Sequence, residues 1–381
     1  MSSPHMRRVA LDAAALGATL AEWRAHWPAL SVLALLPEAE APRLPVLQAA
    51  CREAGVALVG GIFPQLIDGD RLVSDGVWLL AHETHLPAFL LPELPADAEV
   101  AATQMADAVD ALQDRAPAAE PPTLYLVFDG QLGHIGSVLD SLYLRLADGV
   151  RYAGVNAGSE RFEPLPCLFD AERVVSGGVL GVLLPPAART VLAHDYPVPR
   201  HVRTATSTQG NRIAMIDWRP AFEVYRELVR EHHGVELTRE NFYTYAVHFP
   251  LGILRATGDV LVRIPVALDD DGALTCIGEV PEHAMLVVLQ APDADHLHCV
   301  DTLALELGDP ARGQDTLLFY CAGRRMHLGA AVSDELAQLR DQLHTPVLAG
   351  ALSLGEVGNA DAWGYPMFHN AALVCTVWVG R

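Results

Sequence analysis

Ile67-Asp-Gly-Asp-Arg-Leu-Val-Ser-Asp-Gly-Val-Trp-Leu-Leu80 and Leu168-Phe-Asp-Ala-Glu-Arg-Val-Val-Ser-Gly-Gly-Val-Leu-Gly-Val-Leu-Leu184 are two stretches that repeat one pattern. They share the core Asp-x-x-Arg-(Leu/Val)-Val-Ser-x-Gly-Val. Glycine and aspartate between runs of strand-forming residues predict a hairpin in each stretch. The matching order of elements around both hairpins predicts an internal duplication, and chance resemblance between two hairpins is the alternative.

The same order of elements precedes each hairpin, namely a short apolar strand, an amphipathic helix and a second strand. The first copy comprises residues 31–36, 44–54 and 56–60, and the second comprises residues 123–128, 135–146 and 150–155. A more distant third copy comprises residues 316–320, 333–343, 346–349 and 371–379. Strand–helix–strand units normally join parallel strands, and hairpins add antiparallel pairs. The sequence therefore predicts an α/β fold (α+β mixed), with two lobes of mixed sheets covered by helices.

A different region separates the second copy from the third. It holds two short strands within residues 202–216, an amphipathic helix at 219–232, and a hairpin signal, Asp269-Asp-Asp-Gly272. Prolines cluster between residues 185 and 199, which predicts a domain boundary there. We expect two domains, at residues 28–190 and 200–381.

Composition and charge exclude several classes of function. The net charge of −21 repels phosphate backbones, and no basic stripe offsets it, so we expect no nucleic-acid partner. No apolar run approaches the roughly 18 residues that a membrane span needs, and no signal-like segment begins the chain. The six cysteines are widely spaced, which is typical of reduced, buried thiols. We therefore expect a cytoplasmic protein that does not associate with membranes.

Several short motifs together resemble one known family. In the N-terminal part they are Gly154-Val-Asn-Ala-Gly158, Phe169-Asp170 and Ser176-Gly-Gly-Val-Leu-Gly-Val-Leu-Leu184. In the C-terminal part they are Gly210-Asn211, Ile216-Asp217, Pro220-Ala221, Phe249-Pro-Leu-Gly252, Val262-Arg-x-Pro265, Asp270-Asp-Gly272, Phe319-Tyr-Cys-Ala-Gly-Arg324, Gly355-Glu356 and His369-Asn370. From about residue 30 to the end, the chain resembles the FIST proteins, named for F-box and intracellular signal transduction, in both their FIST N and FIST C modules.

The resemblance implies an intracellular sensory protein that binds a small molecule and passes the signal to histidine kinases, cyclases or chemotaxis receptors. It also implies that haem is a cofactor to consider, because some members bind haem and respond to nitric oxide. The chain departs from the family in that no output domain is recognised in it. We therefore expect signalling through a separate partner.

The candidate ligand site begins where the third copy's first strand ends. Cys321-Ala-Gly-Arg324 follows that strand, and ligands in open α/β sheets usually bind at strand carboxyl ends. Gly323 would let the backbone approach a ligand closely, and Arg324 could bind a carboxylate with two hydrogen bonds. Gly355-Glu356 also follows an apolar strand, and Glu356 could accept from an amine. The alternative is that Arg324 pairs with Glu356 and ties two strand ends together.

His369-Asn370 opens the last strand and offers both donors and acceptors. A structural hydrogen bond is the alternative role for His369. Because an arginine and a glutamate facing one cavity would suit a zwitterion, we expect an amino acid as the ligand. The predicted ligand-binding residues are Cys321, Gly323, Arg324, Gly355, Glu356, His369 and Asn370.

Two rival functions use other chemistry. Cys321, His369 and Glu356 are the residue types of a cysteine nucleophile, its base and an orienting acid, although no cysteine-enzyme signature surrounds them. The 16 histidines include the spacings His82-x-x-His85, His232-His233 and His296-x-His298, which keep a haem or metal sensor open without assigning an axial ligand. The tract Asp269–Asp271 lacks the spacing of a calcium loop, so a solvated turn is the favoured interpretation.

Overall fold

The computed structural model describes residues 5–114, 120–256, 258, 260–292, 298–358 and 364–380. The first elements are β1 (Met6–Val9), α1 (Ala13–His26), β2 (Ser31–Pro37), α2 (Leu44–Ala54), β3 (Ala57–Phe63), β4 (Leu66–Asp68), β5 (Arg71–Val73), β6 (Val77–His82) and β7 (Ala88–Leu91). They are followed by α3 (Ala98–Gln113), β8 (Thr123–Asp129), α4 (Ile135–Leu146), β9 (Arg151–Ala157), β10 (Leu168–Asp170), β11 (Val174–Val175), β12 (Val179–Leu184) and β13 (Thr190–Ala193).

The second half of the chain begins with an antiparallel region. It comprises β14 (Arg203–Gln209), β15 (Arg212–Ile216), β16 (Arg219–Pro220), α5 (Ala221–His233), α6 (Phe242–Ala246), β17 (Leu251–Leu254), β18 (Val260–Arg263), β19 (Pro265–Leu268), β20 (Leu274–Cys276) and β21 (Met285–Val288). The last elements are α7 (Cys299–Leu307), β22 (Thr316–Cys321), α8 (Ala322–Leu328), α9 (Val332–Leu343), β23 (Leu348–Ser353), β24 (Glu356–Gly358), β25 (Met367–His369) and β26 (Leu373–Val377).

Local sequence explains where several helices begin and end. Asp12 and Asp97 precede α1 and α3, and each carboxylate accepts backbone N–H groups of the first turn. Helix α2 ends at Gly55, whose φ of 62° is a left-handed conformation that glycine adopts without strain. The predicted helices at residues 44–54 and 135–146 are confirmed to the residue. The predicted mixed α/β class is confirmed as well.

Three of the sheets share one strand arrangement. In the first, β2 and β3 pair in parallel and β6 flanks β2 in antiparallel orientation. Strands β8, β9 and β12 repeat this order, and so do β22, β23 and β26. A further antiparallel strand, β1, β7 or β13, pairs with each flanking strand. Duplication of the underlying sequence stays a prediction.

The hairpins exchange between these three sheets. Hairpin β4–β5 pairs with β23, hairpin β10–β11 pairs with β3, and hairpin β24–β25 pairs with β9. Each hairpin therefore completes the sheet of a different strand–helix–strand segment, in a closed cycle. The predicted hairpin at residues 67–80 is divided, since β4 and β5 form the hairpin while β6 leaves it to pair with β2. Every residue of β6 is buried, which suits a strand inside a sheet rather than the arm of an exposed hairpin.

The inner faces of the three sheets meet in a shared apolar core. Phe63 at the end of β3 lies against Phe319 of β22, with ring centroids 5.2 Å apart. Tyr125 of β8 lies 6.0 Å from the same ring. Aromatic pairs with tilted planes at these separations add to the stabilisation that burial provides. The core therefore joins all three strand–helix–strand segments.

A fourth sheet contains β14, β15 and β17 to β21, and it packs against one face of α5. Ile264 and Val262 of this region join Cys321 in a small apolar cluster, which places the fourth sheet beside the end of β22. Strands on both sides of residue 200 share sheets, because β13 pairs with β26 and β9 pairs with β24. The bounds 28–190 and 200–381 stay predictions. Among the described helices, none has the length and apolar character needed to cross a bilayer.

Candidate functional site

A cavity of about 470 Å³ opens at the carboxyl end of β22, and we call it the Cys321 cavity. Three parts of the chain form it: the β22–α8 junction, the fourth-sheet region, and the ends of β2 and β9. The lining residues are Glu38, Glu160, Arg161, Phe162, Tyr243, Val247, Ile264, Pro265, Val266, Ile277, Cys321, Ala322, Gly323, Met326 and Leu354. Most of the cavity wall is apolar, and the volume of the cavity is within the usual range for small-ligand sites.

Charged side chains line the part of the Cys321 cavity that the N-terminal half of the chain forms. Glu38 follows β2 and accepts a hydrogen bond from the Ser159 hydroxyl at 2.9 Å. Glu160 is paired with Arg325. Arg161 is 74% exposed, with the nearest carboxylate 4.0 Å away. Glu38 and Arg161 thus give the cavity one anionic and one cationic group.

Gly323 is needed where the fourth sheet presses on the start of α8. A Cβ on Gly323 would lie 2.4 Å from Cδ1 of Ile264, far inside van der Waals contact. Gly355 is confined in a similar way, because its Cβ would lie 2.4 Å from the Phe368 ring. Of these two predicted glycines, Gly323 lines the cavity, and Gly355 is a packing glycine behind it.

Cys321 forms part of the cavity wall, and Glu356 is buried directly behind it. The Cys321 sulfur accepts from the backbone N–H of Ala371 at 3.1 Å, and burial raises the pKa of its thiol, helped by the nearby Glu356 carboxylate. Glu356 is fully buried and accepts from the Ser353 hydroxyl at 2.6 Å and from the Ala372 N–H at 3.3 Å. Burial outweighs these hydrogen bonds, which favour the carboxylate, and raises the pKa of Glu356 to about 8.

Arg324 does not reach Glu356. Its Nε and Nη2 donate to the two oxygens of Glu335 at 3.1 and 2.6 Å, and Asp195 lies 3.5 Å from Nη2. Burial alone would lower the pKa of Arg324, but the Glu335 hydrogen bond raises it, so the ion pair persists. The proposed tie between Arg324 and Glu356 is therefore wrong: the arginine joins α8 to α9. The reason is that α8 begins directly after β22 and directs the Arg324 side chain toward α9.

His369 and Asn370 lie on the other side of Glu356. Asn370 accepts from the Ile264 N–H at 3.2 Å and donates to the His369 carbonyl at 2.9 Å, which ties β25 to the fourth sheet. His369 pairs with Glu356 across the β24–β25 ladder, but its ring lines a separate cavity beside His194. Burial, followed by the neighbouring His194, lowers the pKa of His369 well below its usual range.

The structure brings together only part of the predicted site. Cys321 and Gly323 line the Cys321 cavity, and Glu356 lies directly behind Cys321. Arg324 is held in its ion pair, while His369 faces elsewhere. Sequence reasoning missed Glu38 and Arg161 and the whole fourth-sheet wall. Glu38 could have been found, since it follows the first copy's strand much as Ala322 follows the third copy's strand.

The alternative chemistries have weak support in the geometry. An activated nucleophile needs a lowered thiol pKa, whereas burial raises that of Cys321, and no hydrogen bond joins it to His369 in the described residues. Within the part of the chain that is described, the one group of three potential metal ligands is Asp195, Cys299 and Glu335. Arg324 already neutralises these carboxylates, so the group is better explained as an ion pair.

The histidine and aspartate patterns also have structural explanations. His82 is buried and hydrogen-bonds the Thr84 carbonyl at 3.2 Å. His232 stacks on His201 with ring centroids 4.3 Å apart. His296 lies outside the described residues. The tract Asp269–Asp271 forms the turn between β19 and β20, with Arg212 bound to its first and last carboxylates, as expected for a solvated turn.

Comparisons with known proteins identify the family. A search of curated proteins finds no match. A model of the FIST N domain matches residues 32–219, and a model of the FIST C domain matches residues 221–359. FIST domains are associated with signal transduction and small-ligand sensing, and they are not known as enzymes. Because the two matches cover nearly the whole chain, this protein belongs to the FIST family.

Proposed function

We propose that this FIST protein senses a small zwitterionic molecule, such as an amino acid with an apolar side chain, in the Cys321 cavity. The observation that carries the proposal is the position of this cavity, at a strand carboxyl end and between three parts of the chain. The charges the sequence had assigned to Arg324 and Glu356 are supplied instead by Arg161 and Glu38. A ligand ammonium would lie near Glu38, and its carboxylate near Arg161.

The apolar wall defines which amino acids suit the cavity. Val247, Ile264, Val266 and Ile277 approach from the fourth-sheet region, and Leu354 approaches from the end of β23. A ligand side chain buried against such residues gains roughly 25 cal/mol for each Å² of apolar surface removed from water. Leucine, methionine and phenylalanine are therefore the best candidates. Polar amino acids would leave their side chains without partners.

Signalling would follow because three separate parts of the chain form the cavity together. A ligand there contacts the β22–α8 junction, the fourth-sheet region and the segment after β9 at the same time. A ligand shifts a conformational equilibrium by as much as its affinities for the two states differ. Binding would therefore favour one relative placement of these three parts. The output would pass to a separate partner, a histidine kinase, cyclase or chemotaxis receptor.

Isothermal titration calorimetry with modified ligands tests the proposal. Leucine, methionine and phenylalanine are titrated first, and phenylalanine is then compared with N-acetylphenylalanine, which lacks the ammonium, and phenylalaninamide, which lacks the carboxylate. Arg161→Ala should weaken phenylalanine binding about two- to fivefold, since exposed ion pairs contribute little, and should leave phenylalaninamide binding unchanged. Arg71→Ala is the matched control, because Arg71 is 70% exposed and does not line the cavity.

A cavity-filling variant provides the second arm. Val266→Trp replaces a half-buried wall residue and should abolish binding with little change in melting temperature. The proposal fails if none of the amino acids binds the intact protein, or if Val266→Trp binds them as the unmodified protein does. An equal effect of Arg161→Ala on phenylalanine and phenylalaninamide would refute the assignment of the carboxylate.

Haem sensing is the second candidate, and one observation favours it. The His369 ring is buried, and within the described residues neither nitrogen has a hydrogen-bond partner, so one nitrogen is free to act as an axial ligand. The cavity beside it measures about 280 Å³, below the usual range for ligand sites, so a porphyrin does not fit it as it stands. A Soret band after reconstitution that is lost in His369→Phe would support haem, and no Soret band in haem-fed cells would exclude it.

A further inference from the structure

A second cavity, of about 280 Å³, lies where β13, β18, β25 and α7 meet, and we call it the His369 cavity. Its lining includes His194, Val260, Thr302, Glu306, Met367 and His369. It shares no lining residue with the Cys321 cavity. Apolar side chains supply most of its remaining wall, so the few polar groups decide what it can bind.

His369 is the polar group with unmet hydrogen-bonding capacity. The residue is 4% exposed, and both ring nitrogens are buried without a hydrogen-bond partner among the described residues. A neutral imidazole has one N–H donor and one acceptor nitrogen. Burying both nitrogens without hydrogen bonds costs free energy, and native proteins rarely contain such groups. A ligand that offers both a hydrogen-bond acceptor and a donor could therefore bind the ring in either tautomer.

The neighbouring charges determine which ligands are compatible. Arg255 and Arg263 lie on one side of His369 and, together with His194, lower the pKa of its imidazole beyond the effect of burial. This electropositive side disfavours a cationic ligand. Glu306 is an exposed residue on the wall of the cavity. Its carboxylate would in turn disfavour an anionic ligand. A ligand group that reaches the His369 ring, which is 4% exposed, also loses its hydration, and an uncharged group loses least, so the part of the cavity beside His369 suits an uncharged group.

His194 is already committed to the backbone. Its Nε2 lies 3.2 Å from the Val260 carbonyl, and its Nδ1 lies 3.4 Å from the Tyr196 N–H. These contacts fix the ring orientation and make His194 part of the wall. A metal ion is a poor occupant, because no group of three close histidine, cysteine or carboxylate ligands is found at this place among the described residues.

We infer that the His369 cavity is a second binding site, for a small uncharged molecule that carries a donor and an acceptor on an apolar body, such as a primary amide. The amide would bind the ring nitrogen of His369 that faces the cavity: its carbonyl would accept from that nitrogen if the nitrogen carries the proton, and its N–H would donate to it if it does not. The apolar body would pack against Val260 and Met367. This site is separate from the amino-acid site proposed above, because the two cavities share no lining residue.

Three probes with the same ring and different charge test the inference: benzamide, benzoate and benzylamine. Each is titrated into the full chain, uniformly labelled with ¹⁵N at histidine, while the imidazole ¹⁵N signals are followed by NMR. Benzamide should shift the His369 signals saturably. Benzoate and benzylamine should bind at least tenfold more weakly, because each would move a charged group out of water beside the buried His369 ring.

Two variants assign the binding to His369. His369→Phe keeps an aromatic ring but removes both nitrogens, and it should lose benzamide binding while keeping phenylalanine binding at the Cys321 cavity. His85→Phe, at an exposed histidine outside both cavities, is the matched control and should bind benzamide normally. If His369→Phe does not fold, the ¹⁵N titration of the unmodified protein still decides.

Three results would overturn the inference. The first is no saturable shift of the His369 nitrogens up to the solubility limit of benzamide. The second is tighter binding of benzoate or benzylamine than of benzamide. The third is benzamide binding that His369→Phe leaves intact. Loss of amino-acid binding in the Val266→Trp variant, with benzamide binding retained, would show that the two sites are separate.

Discussion

Replacing Glu356 by glutamine should remove a large pH dependence of the protein's stability. Glu356 is fully buried behind Cys321 and accepts hydrogen bonds from Ser353 and Ala372. Burial raises its pKa from 4.5 to about 8 in the folded protein. The folded state therefore holds the carboxyl proton more tightly than the unfolded state. This contribution is fully present below pH 4.5, falls as the pH rises, and is lost once the pH passes about 8.

The size of the effect follows from the same shift. One pKa unit corresponds to about 1.4 kcal/mol, so a shift from 4.5 to about 8 changes the free energy of unfolding by about 5 kcal/mol between these limits. Glutamine stays uncharged at every pH, and its amide oxygen can accept from the same donors. In Glu356→Gln this part of the pH dependence should be absent, and the variant should gain on the unmodified protein as the pH rises.

Urea unfolding at pH 5, 6, 7, 8 and 9 measures the difference between the two proteins. His369 must be protonated on unfolding at acidic pH, but it is present in both, so its contribution cancels in the difference. The exposed Glu172→Gln variant is the control and should follow the unmodified protein at all pH values. A constant difference between Glu356→Gln and the unmodified protein from pH 5 to pH 9 would refute the buried, proton-binding carboxyl.

Three further experiments test the neighbouring contacts. Iodoacetamide at pH 8 should label Cys321 far more slowly than a free thiol, because burial raises its pKa, and rapid labelling located by mass spectrometry would contradict this. Arg324→Met should destabilise the protein by about 3–5 kcal/mol in urea unfolding by leaving Glu335 buried and unpaired, and adding Glu335→Leu should recover most of that loss rather than increase it. Gly323→Ala should cost about 1–3 kcal/mol through its contact with Ile264, and Ile264→Val, which removes the contacted methyl group, should restore stability if that contact is the cause.

The secondary structure could be predicted because its signals are local. The helices at residues 44–54 and 135–146 follow from apolar residues at helical spacing, and they are found with the predicted bounds. The partner of each hairpin could not be predicted in this way. Residues 66–73 carry the pattern of a hairpin, but nothing in that pattern says that β4 pairs with β23, far along the chain. Pairing between distant strands depends on which faces the complete core brings together.

The part of the candidate site that follows a strand directly could be predicted from local sequence, and the rest could not. Cys321 and Gly323 follow a strand directly, so the rule that ligands bind at strand carboxyl ends finds them. Arg324 follows Gly323 in the chain, but its position in α8 directs its side chain to Glu335 of α9. Arg161 follows a strand of a different sheet, and only the assembled sheets show that it shares a cavity with Cys321.

Hairpin exchange explains why a change at the Cys321 cavity would not stay local. Glu356 begins β24, which belongs in sequence to the segment of Cys321 but in space to the sheet of β9. The Cys321 sulfur lies beside the Glu356 carboxylate, and the two accept from the consecutive N–H groups of Ala371 and Ala372, so a displacement of the cavity wall would act on a strand of the neighbouring sheet. In a fold whose hairpins stayed with their own sheets, the same displacement would end within one sheet. Because the three hairpins form a closed cycle, each of the three sheets includes a hairpin from another segment, so a ligand that displaced one junction would also act on a second sheet.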